Sequence, residues 1–183
     1  MSPRRRVLLR QLGRRFRVVH SSYREIVRSA ESPSVNAMRN ALGKARGAQL
    51  PPGASGIIVA ADTFLYFRRR VIGKPSTIAA AERLLRQLSG NSHWVYTGVC
   101  LLNPQSGKTR TSYEKTRVTF KRLTETTLRR VLARGSPLDK AGGYALQEDR
   151  GDLIQRLEGS RTNVIGLPLE LLRRELRAFR SGA

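Results

Sequence analysis

Apolar positions in this chain fall into short strand-length runs separated by stripes of helical period, the signature of a layered α/β domain. Residues 57–61, IIVAA, form the clearest run, and it ends in a carboxylate, Asp62, followed by Thr63. Ligand sites in open α/β sheets lie where a buried strand ends, so Asp62 and Thr63 are the first candidates for chemistry. A second short segment at 64–67, the basic turn Arg68-Arg69-Arg70, the pair Val71-Ile72 and the GKP punctuation at 73–75 follow, an arrangement that returns Lys74 towards Asp62. Taken alone, the stretch also fits a plainer reading in which Asp62 caps the next element and Lys74 is a surface charge.

On either side of this run the pattern is helical. Ser2 and Pro3 supply a cap and a first-turn proline for a helix carrying Val7, Leu8 and Leu12. Arg4, Arg5 and Arg6 in its first turn oppose the helix dipole, a placement that a bound anion would relieve. Residues 16–19 read as a short strand and 21–34 as a loop. A helix over 34–50 puts Val35, Met38, Leu42 and Ala45 on one stripe, and another over 76–89 faces Ala80, Leu84, Leu85 and Leu88 inward. Residues 93–102 and 109–120 read as strands joined by the turn 103–108, and 125–133 as a helix stopped by Gly135. Gly142-Gly143-Tyr144 reads as a turn into a short strand, 153–157 as a strand, 159–166 as a loop, and Pro168 as the start of a last helix bearing Leu169, Leu172 and Leu176.

Composition narrows the picture. A length of 183 residues suits one domain, and an apolar fraction of 39% in spaced runs suits a folded one. The formal charge of +22 attracts polyanions of every kind, so nucleic acid, nucleotide phosphates and anionic membrane are all admitted and none is selected. A single cysteine, Cys100, excludes an internal disulfide and any multi-thiolate zinc cluster. No apolar stretch has membrane-spanning length and no secretory apolar region follows the basic N-terminus, which makes a cytoplasmic protein the expectation. With two histidines, neither in a ligand pair, a histidine-bound metal is not expected. P-loop, Rossmann and nucleophile-elbow motifs are absent from the sequence.

The remaining chemistry is a set of carboxylates, Glu25, Asp62 and Asp139 or Glu148, beside lysines and arginines at turns. Carboxylates hold a hydrated divalent cation or take a proton from water, and Lys and Arg offset charge on phosphoryl oxygens, so the combination suits phosphate chemistry. A nucleic-acid-binding protein without catalysis is the competing class. No RNP-type aromatic pair, KH-type motif or zinc finger supports it, and Tyr66, Phe67 and Trp94 are too scattered for a stacking platform.

These residues occur in ordered blocks. SPRR at 2–5, F(x)8E from Phe16 to Glu25, ESP at 31–33 and GKA at 43–45 come first. ADT at 61–63, GKP at 73–75, SGNSHWVYTGV at 89–99, LDKAGGYALQE at 138–148 and EGSRTNVIGLPLE at 158–170 follow. In that order and spacing the chain resembles the Maf family of nucleoside triphosphate pyrophosphatases over its whole length. The resemblance implies a single domain over 1–183 with a mixed twisted sheet flanked by helices and two lobes around a central cleft. It implies cleavage between the α and β phosphates, giving a nucleoside monophosphate and pyrophosphate, on dTTP and UTP or on modified nucleotides, with the DKAG-Y-Q block looking like the dTTP/UTP branch. Asp62 would activate water, and Lys74, the second catalytic residue, would contact the triphosphate. Ser2, Arg4, Arg5, Lys44 and Thr63 would contact the triphosphate, and Asp139, Lys140 and Gln147 the nucleotide side. Glu25 and Asp62 would place a divalent cation, Mg²⁺ first and Mn²⁺ second. The expected partners are the nucleoside triphosphate and a second copy of the chain, with no membrane, and the net charge of +22 adds weak, salt-sensitive binding of nucleic acid.

Departures from the family pattern carry their own expectations. A short strand close to LAS usually precedes SPRR, whereas this sequence opens on Met1-Ser2. A missing first strand would expose a sheet edge at 16–19 or 57–61, loosen Arg4 and Arg5 and weaken the rate. YRE stands where VDE is usual, and GYALQE replaces AYGIQG, keeping Tyr144 and Gln147 and adding Glu148.

Overall fold

The computed structural model describes residues 2–134 and 137–181. Its elements are α1 (Pro3–Arg10), α2 (Pro33–Arg46), β1 (Ile58–Phe67), β2 (Arg70–Ile72), α3 (Ile78–Leu88), β3 (Ser92–Leu102), β4 (Thr109–Phe120) and α4 (Glu125–Arg134). Short 3-10 turns at Pro137–Asp139 and Ala141–Gly143 precede β5 (Ile154–Glu158), α5 (Arg161–Ile165) and α6 (Leu169–Ser181). The strands form a five-stranded sheet in the order β2-β1-β3-β4-β5, which with its helices is the α/β architecture that the periodicity predicts. Gly135, read as the stop of α4, lies outside the described residues.

Two compact units divide the chain. One holds Met1–Thr63, Thr97–Glu114 and Gly166–Ala183, the other Phe64–Tyr96 and Lys115–Ile165, so β1, β3 and β4 contribute residues to both.

In the first unit, the Ser32 hydroxyl caps α2 by accepting from the Val35 N–H at 3.3 Å, and Pro33 fills its first turn. The buried face of α2 is only in part the expected stripe: Ala45 is buried and Leu42 packs beside it. Val35 is exposed, and the buried positions are Asn36, Ala37, Asn40, Ala41 and Ala45. Close approach is the cause, since a Cβ on Gly98 of β3 would lie 2.2 Å from the Ala37 carbonyl carbon and oxygen. Only small residues fit such a contact, so the bulky apolar side chains are turned aside from it. Cys100 packs with Ala41 and Ala45, and burial pushes its thiol up to about 11, which leaves it a small inert core residue.

Four expectations are corrected. Residues 16–19 form no strand: the segment after them is tied by the Ser21–Ala48 bridge, a 2.8 Å bond from Gln49 N–H to the His20 carbonyl and a 3.0 Å bond from Ser22 N–H to the Gly47 carbonyl, with Phe16 and Val18 exposed. Strand propensity is expressed only against a partner edge, and no strand of the described residues supplies one there. Asp62 does not end a strand, because β1 runs on through Thr63 to Phe67 and leaves Asp62 in mid-strand at 4% exposure. A buried carboxylate is tolerated there because its charge is paired, as described below. Residues 144–148 turn instead of forming a strand, the Glu148 N–H bonding to the Ala145 carbonyl at 3.1 Å. The loop 159–166 contains α5, whose Asn163 N–H is capped by the Ser160 hydroxyl at 3.2 Å.

In the second unit, α3 is capped by the Thr77 side chain, which accepts from Ala80 N–H at 3.0 Å. It buries Ala81, and its Leu84, Leu85 and Leu88 join a core with Leu65, Val118 and Phe120. β1 and β2 pair antiparallel at Leu65–Ile72, Tyr66–Val71 and Phe67–Arg70, and β2 reaches no further along β1. Arg68 and Arg69 make the connecting two-residue turn with φ of 48° and 62°, conformations that Asn-Gly fills with less strain. At the other side of the sheet β4 pairs antiparallel with β5, with a register shift between Thr119 and Phe120.

Candidate active site

In the first unit, α2 and β1 bring together residues far apart in sequence. Lys44 Nζ lies 2.7 Å from Asp62 Oδ1 and 2.5 Å from Glu25 Oε1, so one ammonium stands between two carboxylates. Asp62 is the buried member, Lys44 is mostly buried and Glu25 is exposed on the loop before α2. The second Asp62 oxygen, Oδ2, accepts from Asn40 Nδ2 at 2.9 Å. Asn40 lies one helical turn before Lys44, so both side chains leave the same face of α2. Its own Oδ1 accepts from Ile26 N–H at 3.1 Å and from the Tyr23 hydroxyl at 3.2 Å, which fixes the amide with its NH₂ towards Asp62. The carboxylate is thereby oriented by two donors, and the loop that carries Glu25 is tied to the same helix.

Arg5 and Thr63 form the adjoining part of the unit. Arg5 Nε donates to the Gly166 carbonyl at 2.7 Å and Nη2 to Thr63 Oγ1 at 2.8 Å. Thr63 Oγ1 is 2.9 Å from Thr97 Oγ1, which continues the chain into β3. Gly166 holds φ +120°, a conformation that side chains disfavour, and thereby presents its carbonyl to Arg5. Burial draws the Arg5 guanidinium below its ordinary value, while Asp62 and Glu25 act in the opposite direction and Arg4 adds to the lowering. It remains a cation with N–H groups beyond those two bonds. Ser2 and Arg4 are half-buried, and the Ser2 side chain makes no cap bond to α1, contrary to its reading as a cap.

The second unit holds the other candidates. The Gly142 N–H bonds to the Gly73 carbonyl at 3.2 Å, which joins the GKP segment of exposed Lys74 to the turn after Lys140. Lys140 is 4% exposed, with Nζ 3.0 Å from Glu148 Oε1 and 3.3 Å from Asp139 Oδ1, and both carboxylates reach solvent. Gln147 is exposed. Lys140, Tyr144 and Glu148 also line a cavity of about 20 Å³, which has room for a water and none for a nucleoside. Beneath it, His93 Nε2 and the Tyr144 hydroxyl are 2.7 Å apart. Burial holds His93 down to about 3 and pushes the Tyr144 hydroxyl up, with Asp149 adding to the latter, so both are neutral at ordinary pH. The pair stacks edge-on with Phe120 and belongs to the core of its unit.

Glu25, Lys44 and Asp62 thus meet in the first unit, beside Arg5 and Thr63, while Lys74, Asp139, Lys140 and Gln147 belong to the second. Sequence reasoning missed Asn40, Tyr23 and Thr97. A signal existed for Asn40, since Asn36, Asn40 and Lys44 repeat at four residues on a helix whose other buried residues are alanines.

A carboxylate held by two donors beside cationic side chains can accept a proton from water next to an anionic substrate. The donor set also fits a magnesium ion. Glu25 and Asp62 already share one cation, the Lys44 ammonium, and both are hard oxygen donors. Among the described residues no group of three or more His, Cys, Asp or Glu forms a closed metal cage. Two carboxylates completed by water and substrate oxygens are the arrangement magnesium accepts.

Comparison with known proteins gives a consistent result. The chain is 40% identical over 178 residues to a dTTP/UTP pyrophosphatase of Pelotomaculum thermopropionicum, covering 97% of this chain and 93% of the relative. It is 41% identical over 182 residues to a dTTP/UTP pyrophosphatase of Bacillus cytotoxicus, covering 100% and 94%. A Bacillus cereus protein of the same name is 41% identical over 178 residues, covering 97% and 86%. The family model described as Maf-like protein matches residues 1–179, and the chain belongs to the Maf family.

Proposed function

We propose that this protein hydrolyses nucleoside triphosphates between the α and β phosphates, acting on dTTP and UTP and releasing the monophosphate and pyrophosphate. The observation that carries this reading is the match, over nearly the whole chain, to relatives named dTTP/UTP pyrophosphatase. The Asp62–Lys44–Glu25 constellation supports it as chemistry.

Asp62 accepts a proton from water while the water oxygen bonds to phosphorus, and the bridging P–O bond breaks with its electron pair leaving on pyrophosphate. Asn40 orients the Asp62 carboxylate for that transfer. Lys44, Lys74, Arg4 and Arg5, with the Ser2 and Thr63 hydroxyls, hold the triphosphate and offset its charge. Lys140, Asp139 and Gln147 act on the nucleotide side. Glu25 and Asp62 would hold the magnesium ion, which when bound draws charge from the phosphoryl oxygens as a Lewis acid. In this reading residues 1–183 act as one Maf-like domain in the cytoplasm, and nucleic acid binds only weakly, through the net charge of +22, and is released by salt.

The test is pyrophosphate release across a panel of ribo- and deoxyribonucleoside triphosphates with magnesium. Preferred hydrolysis of dTTP and UTP is expected. Absence of pyrophosphate release from every nucleotide overturns the proposal.

A further inference from the structure

We infer that Lys44 is the resident cation of the Glu25–Asp62 pair, and that a divalent ion gains both carboxylates only when a polyphosphate draws the Lys44 ammonium away. The inference deepens the pyrophosphatase reading and rests on it. Geometry comes first. Nζ is 2.5 Å from Glu25 Oε1 and 2.7 Å from Asp62 Oδ1, so an ion bridging those oxygens must take the ammonium's own place. Magnesium binds oxygen at roughly 2.1 Å, and two cations cannot share that point against Coulomb repulsion.

Of the two groups that meet at Asp62 Oδ1, the ammonium is the one able to yield. Asp62 is fixed through Oδ2 by Asn40, and Asn40 is fixed in turn by Ile26 N–H and the Tyr23 hydroxyl. Asp62 therefore cannot turn to offer a second face without breaking this network. Lys44 has a flexible four-carbon stem and an ammonium that needs only a new anion in order to swing. A triphosphate is such an anion. Charge points the same way: two carboxylates with one ammonium sum to a single negative charge, a weak attraction for a divalent ion. Once the ammonium moves onto phosphate oxygens, one more negative charge of the pair faces the metal, with Arg5 the cation still coupled to it. Substrate and metal therefore enter together, and the protein without nucleotide holds no magnesium tightly.

The experiment titrates Mn²⁺ against the nucleotide-free protein, reading free Mn²⁺ by electron paramagnetic resonance. Lys44→Met is expected to bind Mn²⁺ at least about tenfold more tightly than wild type, and the gain should vanish in Lys44→Met combined with Glu25→Gln. Lys44→Gln gives the same comparison if the methionine variant does not fold. Equal affinity in wild type and a folded Lys44 variant, or a gain that survives Glu25→Gln, overturns the inference. Wild type alone supplies a second reading. Millimolar magnesium without nucleotide should leave its melting temperature within about 1 °C, and a rise of more than about 3 °C overturns the proposal. Pyrophosphate release is measured on the same wild-type preparation. Its absence overturns the functional reading, whereas unchanged Mn²⁺ affinity with release intact overturns only the cation exchange.

Discussion

Each unit of this protein holds a lysine between two carboxylates, and the two arrangements are inverted. Around Lys44 the deeply buried group is a carboxylate, Asp62, held by a strand and a helix. Around Lys140 the deeply buried group is the lysine, and its partners Asp139 and Glu148 lie in solvent on turns. A buried, doubly anchored carboxylate has one orientation and suits proton transfer, which demands fixed geometry. A buried ammonium with solvated partners has its charge kept in place while those partners are free to be exchanged, which suits binding. Similar charges thus support different tasks, according to which of them is removed from water.

The largest expected effect breaks the first arrangement. Asp62→Asn keeps size but sets an NH₂ donor against the Lys44 or Asn40 donor and cannot take a proton from water, so turnover should fall by roughly 10²–10⁴-fold with nucleotide affinity largely kept. Full turnover in that variant, measured as pyrophosphate release, makes the assigned role wrong. Lys140→Met is the counterpart in the second unit. It should raise KM by about tenfold while changing kcat by less than about threefold, the pattern of lost ground-state binding. A fall in kcat matching that of Asp62→Asn would erase the contrast between the two lysine sites.

The third prediction concerns pH. His93 is neutral in the folded chain, held to about 3 against an ordinary 6.5. A folded value below the unfolded one means that the unfolded state binds the extra proton first. The contribution of His93 to stability is therefore complete above about pH 6.5 and is lost as pH falls towards 3. Urea midpoints at pH 7 and pH 4.5 should drop further for wild type than for His93→Gln. Equal drops would remove the histidine from the acid sensitivity of the second unit. The smallest effect is expected at the Arg68-Arg69 turn, where Arg68→Asn with Arg69→Gly should stabilise by about 1 kcal/mol in denaturant titration and leave turnover unchanged. A loss of turnover there would mean that the turn arginines serve the chemistry after all.

What the sequence made legible follows from local physics. β3 declares itself through a stretch that alternates and then runs apolar, α3 through leucines at helical spacing, and the β3–β4 turn through NPQSGK. Asp62, Lys44 and Glu25 were found through ordered motifs, and the structure brings them within bonding distance. The face of α2 was misread because hydrophobicity ranks Val35 and Met38 above Ala37 and Asn40. The packing instead ranks by size, since Gly98 admits nothing larger. Asn40 was missed for the same reason: an asparagine inside a helix is invisible to an apolar pattern, and its role appears only when Asp62 arrives from a strand 22 positions away. The supposed strand at 16–19 shows the opposite failure, strand-forming residues with no partner edge to pair with.

Gly98 carries no charge, touches no candidate substrate and donates no side-chain bond, yet it works as a gauge block between α2 and β3. A single methyl group there would press on the Ala37 carbonyl and lift the helix, and the helix bears Asn40 and Lys44 on its inner face. Surface arginines can be exchanged widely without altering the distance from Lys44 to Asp62, whereas Gly98→Ala would alter it at once. Drift in this sequence is therefore tolerated where its charge is densest and forbidden at a position that has no side chain.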